Sequence, residues 1–256
     1  DYDVNRASEL YVAWNWKGDG AGVTNNDGSV TSTVSVNQDA GISISTCTSP
    51  SSANQAFTIG HGLGKAPALV IQRKINGLGP WWVYHQSFAQ VYYYLYLQEA
   101  FYLSYLTQST YCWNNSAPTS TVISTRNDWQ YSPSENILTY AFAEVEGFSS
   151  FGSYTGNGNA DGPFVYTGFE PAFVMIRATQ QSGNWIMLDT KRDTYNVSKT
   201  RIDADLTSAE AAGENLMDIL SNGFKLRTAS ASKNPSGQQV IYMAFAENPF
   251  KYSNAR

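Results

Sequence analysis

Apolar and polar residues alternate along much of this chain with the period of an extended strand. Val30-Thr31-Ser32-Thr33-Val34-Ser35-Val36 alternates, which puts the three valines on one side and Thr31, Thr33 and Ser35 on the other and predicts a half-buried strand. Residues 9–16, ELYVAWNW, with Trp14 and Trp16 two apart, predict another. Ile42 and Ile44 share a face, and Phe57-Thr58-Ile59 is a short strand running into a glycine turn. Ala68 to Arg73 is apolar enough to be buried on both sides, with Trp81-Trp82-Val83-Tyr84 as its hairpin partner. Further strands are predicted at Val122-Ile123, Ile137–Phe142, Phe164–Tyr166, Phe173–Arg177, Trp185–Leu188, Phe224–Leu226 and Val240–Ala246. Lys17 to Asp27 and Gly152 to Gly162 read as glycine-rich loops. One stretch departs from this period. Thr207-Ser208-Ala209-Glu210 has capping-box spacing, and Leu216, Ile219 and Leu220 could line a short helix ending near Asn222-Gly223.

The pattern occurs twice. Tyr140-Ala141-Phe142-Ala143-Glu144 returns as Met243-Ala244-Phe245-Ala246-Glu247 at an offset of 103, and Ala68–Arg73 returns as Ala172–Arg177 at 104. Pro67 with Pro171 and Trp81 with Trp185 keep that spacing. A nearly constant offset is the mark of a duplicated supersecondary unit. Residues 9–16 match the closing strand of the unit, with Trp14 at the place of Tyr140 and Met243, and Trp16 at the place of Phe142 and Phe245. The expected fold is all-β: two tandem β-sandwich (jelly-roll-like) repeats of about 105 residues, at 37–146 and 147–256. An arm, 1–36, precedes them, carrying the last strand of an earlier repeat. An arm of that kind predicts pairing with a neighbouring chain's sheet edge or with preceding sequence.

Composition narrows the function. Charged residues are 14% of the chain against roughly 25% in an average protein, and aromatics are also 14%, with 17 Tyr and 7 Trp. Neutral polar surfaces around aromatic cores suit extracellular or particle-associated β-proteins. Net charge is −5 and the cations are scattered, which argues against nucleic acid as a partner. No apolar run reaches the length of a membrane span, and residues 1–6 lack a signal-peptide layout. Cys47 and Cys112 both lie in the first repeat; they are either bridged or two buried thiols, and the second repeat does without them.

Several runs carry a family resemblance: YVAWNWKGDG (11–20), TNNDGSVTS (24–32), GHGLGKAP (60–67), AFAEVEGFSSFGSYTGNG (141–158), DGPFVYTGFEPAFVMI (161–176) and AFAENPFKYSNAR (244–256). In these the chain resembles the C-terminal repeat region of tail-fibre-like and surface virion proteins of marine and aquatic tailed phages, repeats that often follow a concanavalin-like lectin domain. The tract from Val91 to Tyr111 departs most from the family pattern. The resemblance implies a non-enzymatic structural component of the virion exterior, assembled as a homo-oligomer such as a trimer. It also implies contacts with other virion proteins and a contribution to host attachment. It brings no catalytic residues and no cofactor. The alternatives are a glycan-binding module, a capsid decoration or fibre protein and, behind these, a polysaccharide-degrading enzyme.

The residues that could carry chemistry are few. Gly60-His61-Gly62-Leu63-Gly64 imitates a phosphate cradle, but Lys65-Ala66-Pro67 leads into a strand where a cradle needs a helix, so it predicts a turn. His61 and His85 show no metal-ligand spacing. Asp189, Asp193, Asp203 and Asp205, near Tyr195, are the candidates for the paired carboxylates of a glycosidase, against a plain reading as a loop. Glu144 and Glu247 recur after the closing strand; they fit either Ca²⁺ ligation near Asn157, Asn159 and Asp161 or hydrogen bonds to backbone amides. The expected contact surface is the aromatic tract: Tyr92, Tyr93, Tyr94, Tyr96, Tyr102, Tyr105 and Trp113. Tyrosine combines a flat apolar face with a hydroxyl, and neighbouring residues in an extended chain point to opposite sides. Some of these rings should therefore meet solvent, a host-surface glycan or another subunit.

Overall fold

The computed structural model describes residues 11–100, 112–128 and 130–247. The arm and copy one together hold β1 (Val23–Asn25) and β2 (Ser32–Asn37), which begin in the arm, then β3 (Ile42–Thr48), β4 (Ala56–Gly60), β5 (Leu69–Lys74), β6 (Trp82–His85), β7 (Leu95–Tyr96), β8 (Val122–Arg126) and β9 (Asn136–Phe142). Copy two consists of β10 (Ser149–Thr155), β11 (Phe164–Tyr166), β12 (Phe173–Ala178), β13 (Ile186–Asp189), β14 (Ile202–Asp203), β15 (Met217–Leu220), β16 (Gly223–Leu226) and β17 (Gln239–Phe245). The fold is all-β and its strand ladders are antiparallel. The two large sheets run β1-β2-β3-β9-β5-β6-β7 and β10-β17-β12-β13-β14. From β3 onward the first has the order of the second, so the duplication in sequence is a duplication in space. Even the register repeats. Leu69 faces Phe142 and Ile71 faces Tyr140 in copy one; Phe173 faces Phe245 and Met175 faces Met243 in copy two.

Each large sheet is covered on its outer side by a small one, β4-β8 or β11-β16-β15. Phe57, Ile59 and Ile123 pack under the first, against Val70, Ile137 and Trp113. Under the second, the Phe224 ring meets Tyr154 and Tyr242. The inner sides of the two large sheets share a core. Leu69, Ile71, Val83 and Phe142 belong to one apolar cluster with Phe173, Met175, Met243 and Phe245. Fully burying such a side chain contributes roughly 1.5–3 kcal/mol, so this shared face couples the two copies.

The aromatic arm takes part in that core, but not as a strand. Residues 11–16 join no sheet. The sites its sequence match would have offered are already filled, because β9 lies between β3 and β5, and β17 between β10 and β12. The period-two pattern instead turns Trp14 and Trp16 inward. Trp16 lies 6.3 Å from Phe142, 5.6 Å from Phe173 and 5.3 Å from Phe245, so the three residues matched across the repeats meet at one place. Within the arm, β1 and β2 pair with each other, and β2 pairs with β3. These segments find their partner inside the chain.

Two local readings are corrected. Met217–Leu220 is a strand, not part of a helix; it pairs with β16 through a two-residue turn at Ser221-Asn222. Leu216 and Met217 are buried and Asp218 binds the Arg227 guanidinium at 2.6 Å, so pairing with the neighbouring strand overrides the weak helical spacing. Gly152 lies inside β10 and not in a loop; a Cβ there would come within 2.9 Å of the Tyr242 ring, and only glycine lets the two approach. Gly62 and Gly64 both have φ near +70°, as expected of the turn before β5.

The outer edge of β10 is closed by side chains. Copy one covers the equivalent β3 with β2, but only six residues separate β9 from β10, too few to supply a covering strand. Instead Phe151 N–H donates to Glu144 Oε1 at 2.9 Å, and its carbonyl accepts from Gln86 Nε2 at 2.6 Å. Glu144→Ala should cost about 1 kcal/mol and expose a strand edge able to pair with another chain. Thermal unfolding together with sedimentation checks this; an unchanged melting temperature and an unchanged mass would remove Glu144 from that role.

Candidate functional site

The described residues of the aromatic tract are all at least partly buried. Tyr94 and Trp113 are buried, and Tyr92, Tyr93 and Tyr96 are half-buried. Tyr94 lies 4.9 Å from Trp82 and 5.2 Å from Tyr96; Tyr92 and Tyr93 stack edge to face at 5.2 Å. Trp113 packs 5.8 Å from Tyr84 and its indole N–H donates to the Tyr93 carbonyl at 3.2 Å. Alternation across the pleat does send neighbours to opposite sides, but the first sheet has apolar layers on both. Tyr102 and Tyr105 lie outside the described residues. One of the predicted residues opens on a recess: Tyr96 forms part of the wall of a pocket of about 320 Å³.

That pocket is assembled from distant segments. β6 supplies Trp82, and β7 supplies Tyr96, whose ring lies 5.0 Å from it. The loop from Asn127 to Glu135 supplies Asp128, Gln130 and Tyr131, while Lys74, at the end of β5, stands at the side. The loop is held firmly. Buried Asn127 donates to the carbonyls of Pro50 at 2.8 Å and Ser52 at 2.7 Å, and accepts from Gln55 N–H at 2.6 Å. Glu135 accepts from Ser132 N–H at 2.8 Å and from Lys74 Nζ at 3.2 Å. Behind the wall, the Tyr131 hydroxyl donates to Gln72, which in turn donates to Thr139.

Two polar groups at the pocket are incompletely used. Gln130 Oε1 accepts from Thr125 Oγ1 at 3.0 Å and from Trp113 N–H at 3.3 Å, yet its buried Nε2 has no partner among the described residues. Asp128 Oδ2 is held by Arg126 at 2.8 Å, while its buried Oδ1 is likewise unsatisfied. Each such atom, buried without a partner, costs roughly 1–3 kcal/mol. A half-buried ring beside a partly exposed Lys–Glu pair, in a recess of this size, has the dimensions and chemistry of a small-molecule pocket. Burial, reinforced by the neighbouring Tyr94, raises the Tyr96 phenol above its ordinary value, so its hydroxyl stays neutral. Trp82, Asp128, Gln130 and Tyr131 were not foreseen from the sequence. The Trp81-Trp82 doublet was the available signal, but which of the two faces the pocket depends on the sheet: Trp81 stacks on Tyr140 on the opposite side.

Elsewhere the candidate groups are engaged in the fold. His61 Nδ1 accepts from Leu63 N–H, and Nε2 lies 3.2 Å from the Thr119 carbonyl. Asp189 binds Arg192 at 2.6 Å, Asp193 accepts from Thr200, and Asp205 accepts from Trp185 N–H. In the loop proposed for Ca²⁺, the Asn234 amide donates to Asn157 Oδ1 and the Asn159 carbonyl, and Lys225 holds Asp161 at 2.7 Å. Glu144 caps a backbone amide as expected, whereas Glu247 binds Lys191 at 2.6 Å. Among the described residues no group of three potential ligands is gathered for a metal ion, and no helix is long and apolar enough to cross a membrane. Cys47 and Cys112 are free and buried; burial pushes the Cys47 thiol up to about 12.

A family described as a domain of unknown function, DUF7483, matches residues 1–249. No curated protein and no solved structure matches the chain. The chain belongs to the DUF7483 family.

Proposed function

We propose that this DUF7483 member is a non-enzymatic binding component of the exterior of a tailed-phage particle, acting in a homo-oligomer, and that its pocket takes a sugar of the host surface. The observation that carries the binding role is the pocket itself: the half-buried Tyr96 ring borders a recess lined also by Trp82, Tyr131, Gln130 and the Lys74–Glu135 pair. A pyranose offers apolar C–H faces for such rings and hydroxyls that both donate and accept. The virion setting rests on the sequence resemblance and on the neutral, aromatic-rich composition.

Titration of the chain with a panel of bacterial surface sugars tests the binding role. Binding at millimolar strength or better is expected for at least one of them, weakened at least about tenfold by Tyr96→Ala, the loss of one stacking ring. A folded chain that binds no sugar, or a Tyr96→Ala variant that binds as well, overturns it. Gold-labelled antibody on intact particles tests the setting: label is expected on the tail fibres or the head surface, and its absence from both removes the virion role.

A further inference from the structure

We infer that the pocket accepts a neutral sugar, one per chain, and rejects acidic ones; this rests on the sugar-binding reading above. The reason lies in how the charges are committed. Two carboxylates line the pocket, Asp128 and Glu135, and the cation beside each is already engaged. Lys74 Nζ lies 3.2 Å from Glu135 Oε1, and Arg126 holds Asp128 Oδ2 through Nε at 2.9 Å and Nη2 at 2.8 Å. A uronate, sulfate or phosphate entering the pocket would find no uncommitted cation among the described lining residues and would have to compete with Glu135 for Lys74. Two neutralised pairs offer an anion little net attraction, while it gives up the water that solvates its charge. A neutral sugar meets no such cost. Its hydroxyls can bond the partly exposed Lys74–Glu135 pair, and its C–H face rests on the half-buried Tyr96 ring.

The limit of one per chain follows from the divergence of the copies. Tyr96 pairs with Trp82 in copy one, and in the same register Asp203 pairs with Ile186 in copy two. The two aromatic walls are therefore replaced by an aliphatic and a carboxylate. Asp203 lies 3.6 Å from Arg201, and buried Lys233 binds Glu214 at 2.8 Å, so that region of copy two is occupied by its own ion pairs.

Calorimetric titration of the whole chain with neutral oligosaccharides, and with uronate-containing ones of equal length, decides the matter. The neutral ligand is expected to bind with one site per chain and roughly tenfold or more tighter than the acidic one. Added salt should leave both affinities nearly unchanged, because the acidic ligand meets neutralised pairs and no net charge. Asp128→Asn should narrow the gap between the two ligands, provided its melting temperature shows it folded; the salt dependence of the unmodified chain serves as the test if it is not. Equal or tighter binding of the acidic sugar, or acidic binding that weakens with salt, overturns the selectivity and leaves sugar binding standing. Two sites per chain overturns the assignment to copy one. No binding of either sugar overturns the proposed function itself, and this inference with it.

Discussion

Replacing Phe245 with alanine is expected to lower the unfolding free energy by about 3–5 kcal/mol, the range for removing a buried aromatic from a packed core. Phe245 is 4% exposed. Its ring lies 5.3 Å from Trp16, 6.0 Å from Phe142, 5.7 Å from both Phe148 and Phe151, and 6.4 Å from Phe173. These neighbours come from the arm, from copy one and from copy two, so no single segment can collapse into the space without pulling away from another. Phe164→Ala, on the 46% exposed ring of β11, is the contrast, with a change within about 0.5 kcal/mol. Chemical denaturation of both variants reads the difference. Because the copies share this core, the unmodified chain should unfold in one transition. A Phe245→Ala loss below about 1 kcal/mol, or two separate transitions in the unmodified chain, would show that the shared core does not couple the copies.

Acid should weaken the same interface. His85 is buried where copy one meets copy two, at the position that Asp189 holds in the second repeat. Its Nδ1 accepts from Ser87 N–H at 3.1 Å, which leaves Nε2–H to donate to the Tyr242 carbonyl at 3.1 Å. A second ring proton would point Nδ1–H at another donor and bury a charge. Burial accordingly lowers the imidazole from 6.5 to about 4, although the bond to Tyr242 opposes the shift. The unfolded chain then binds the proton more readily than the folded one. The stabilisation is complete above about pH 6.5, declines as pH falls below it, and is lost by about pH 4. The size is on the order of 3 kcal/mol. His61, lowered by burial as well, adds in the same direction. Unfolding free energies of the parent chain and of His85→Gln, measured between pH 4 and pH 7.5, isolate the effect from the carboxylates that titrate in both. The parent's advantage should shrink through this window. Parallel profiles would mean that His85 carries no linked proton.

The two copies illustrate how a duplicated scaffold can retain a fold and diverge in its recesses. Leu69, Phe142, Phe173 and Phe245 keep the inner faces apolar in both, because a polar residue there would be buried without a partner. The pocket walls carry no such constraint. Trp82 and Tyr96 can become Ile186 and Asp203, provided that the new carboxylate finds a guanidinium, and Arg201 is beside it.

The sequence alone determined the strands, much of their pairing and the duplication. Period-two alternation is local, and an offset of 103 or 104 is visible without any contact. The β5–β6 hairpin, the closing strands β9 and β17, and the turn before β5 are where the pattern put them. Tertiary structure decided what depends on residues distant in the chain. Met217–Leu220 became a strand because β16 offered it a hydrogen-bonded edge. Trp14 and Trp16 became packing rings because the central strands already had both neighbours. Tyr94 and Trp113 turned inward because the first sheet is covered on both sides. The pocket was the least legible feature. Lys74, Trp82, Tyr96, Asp128 and Gln130 share no period and no motif, and the antiparallel pairing of β5, β6 and β7 beside a pinned loop is what brings them together.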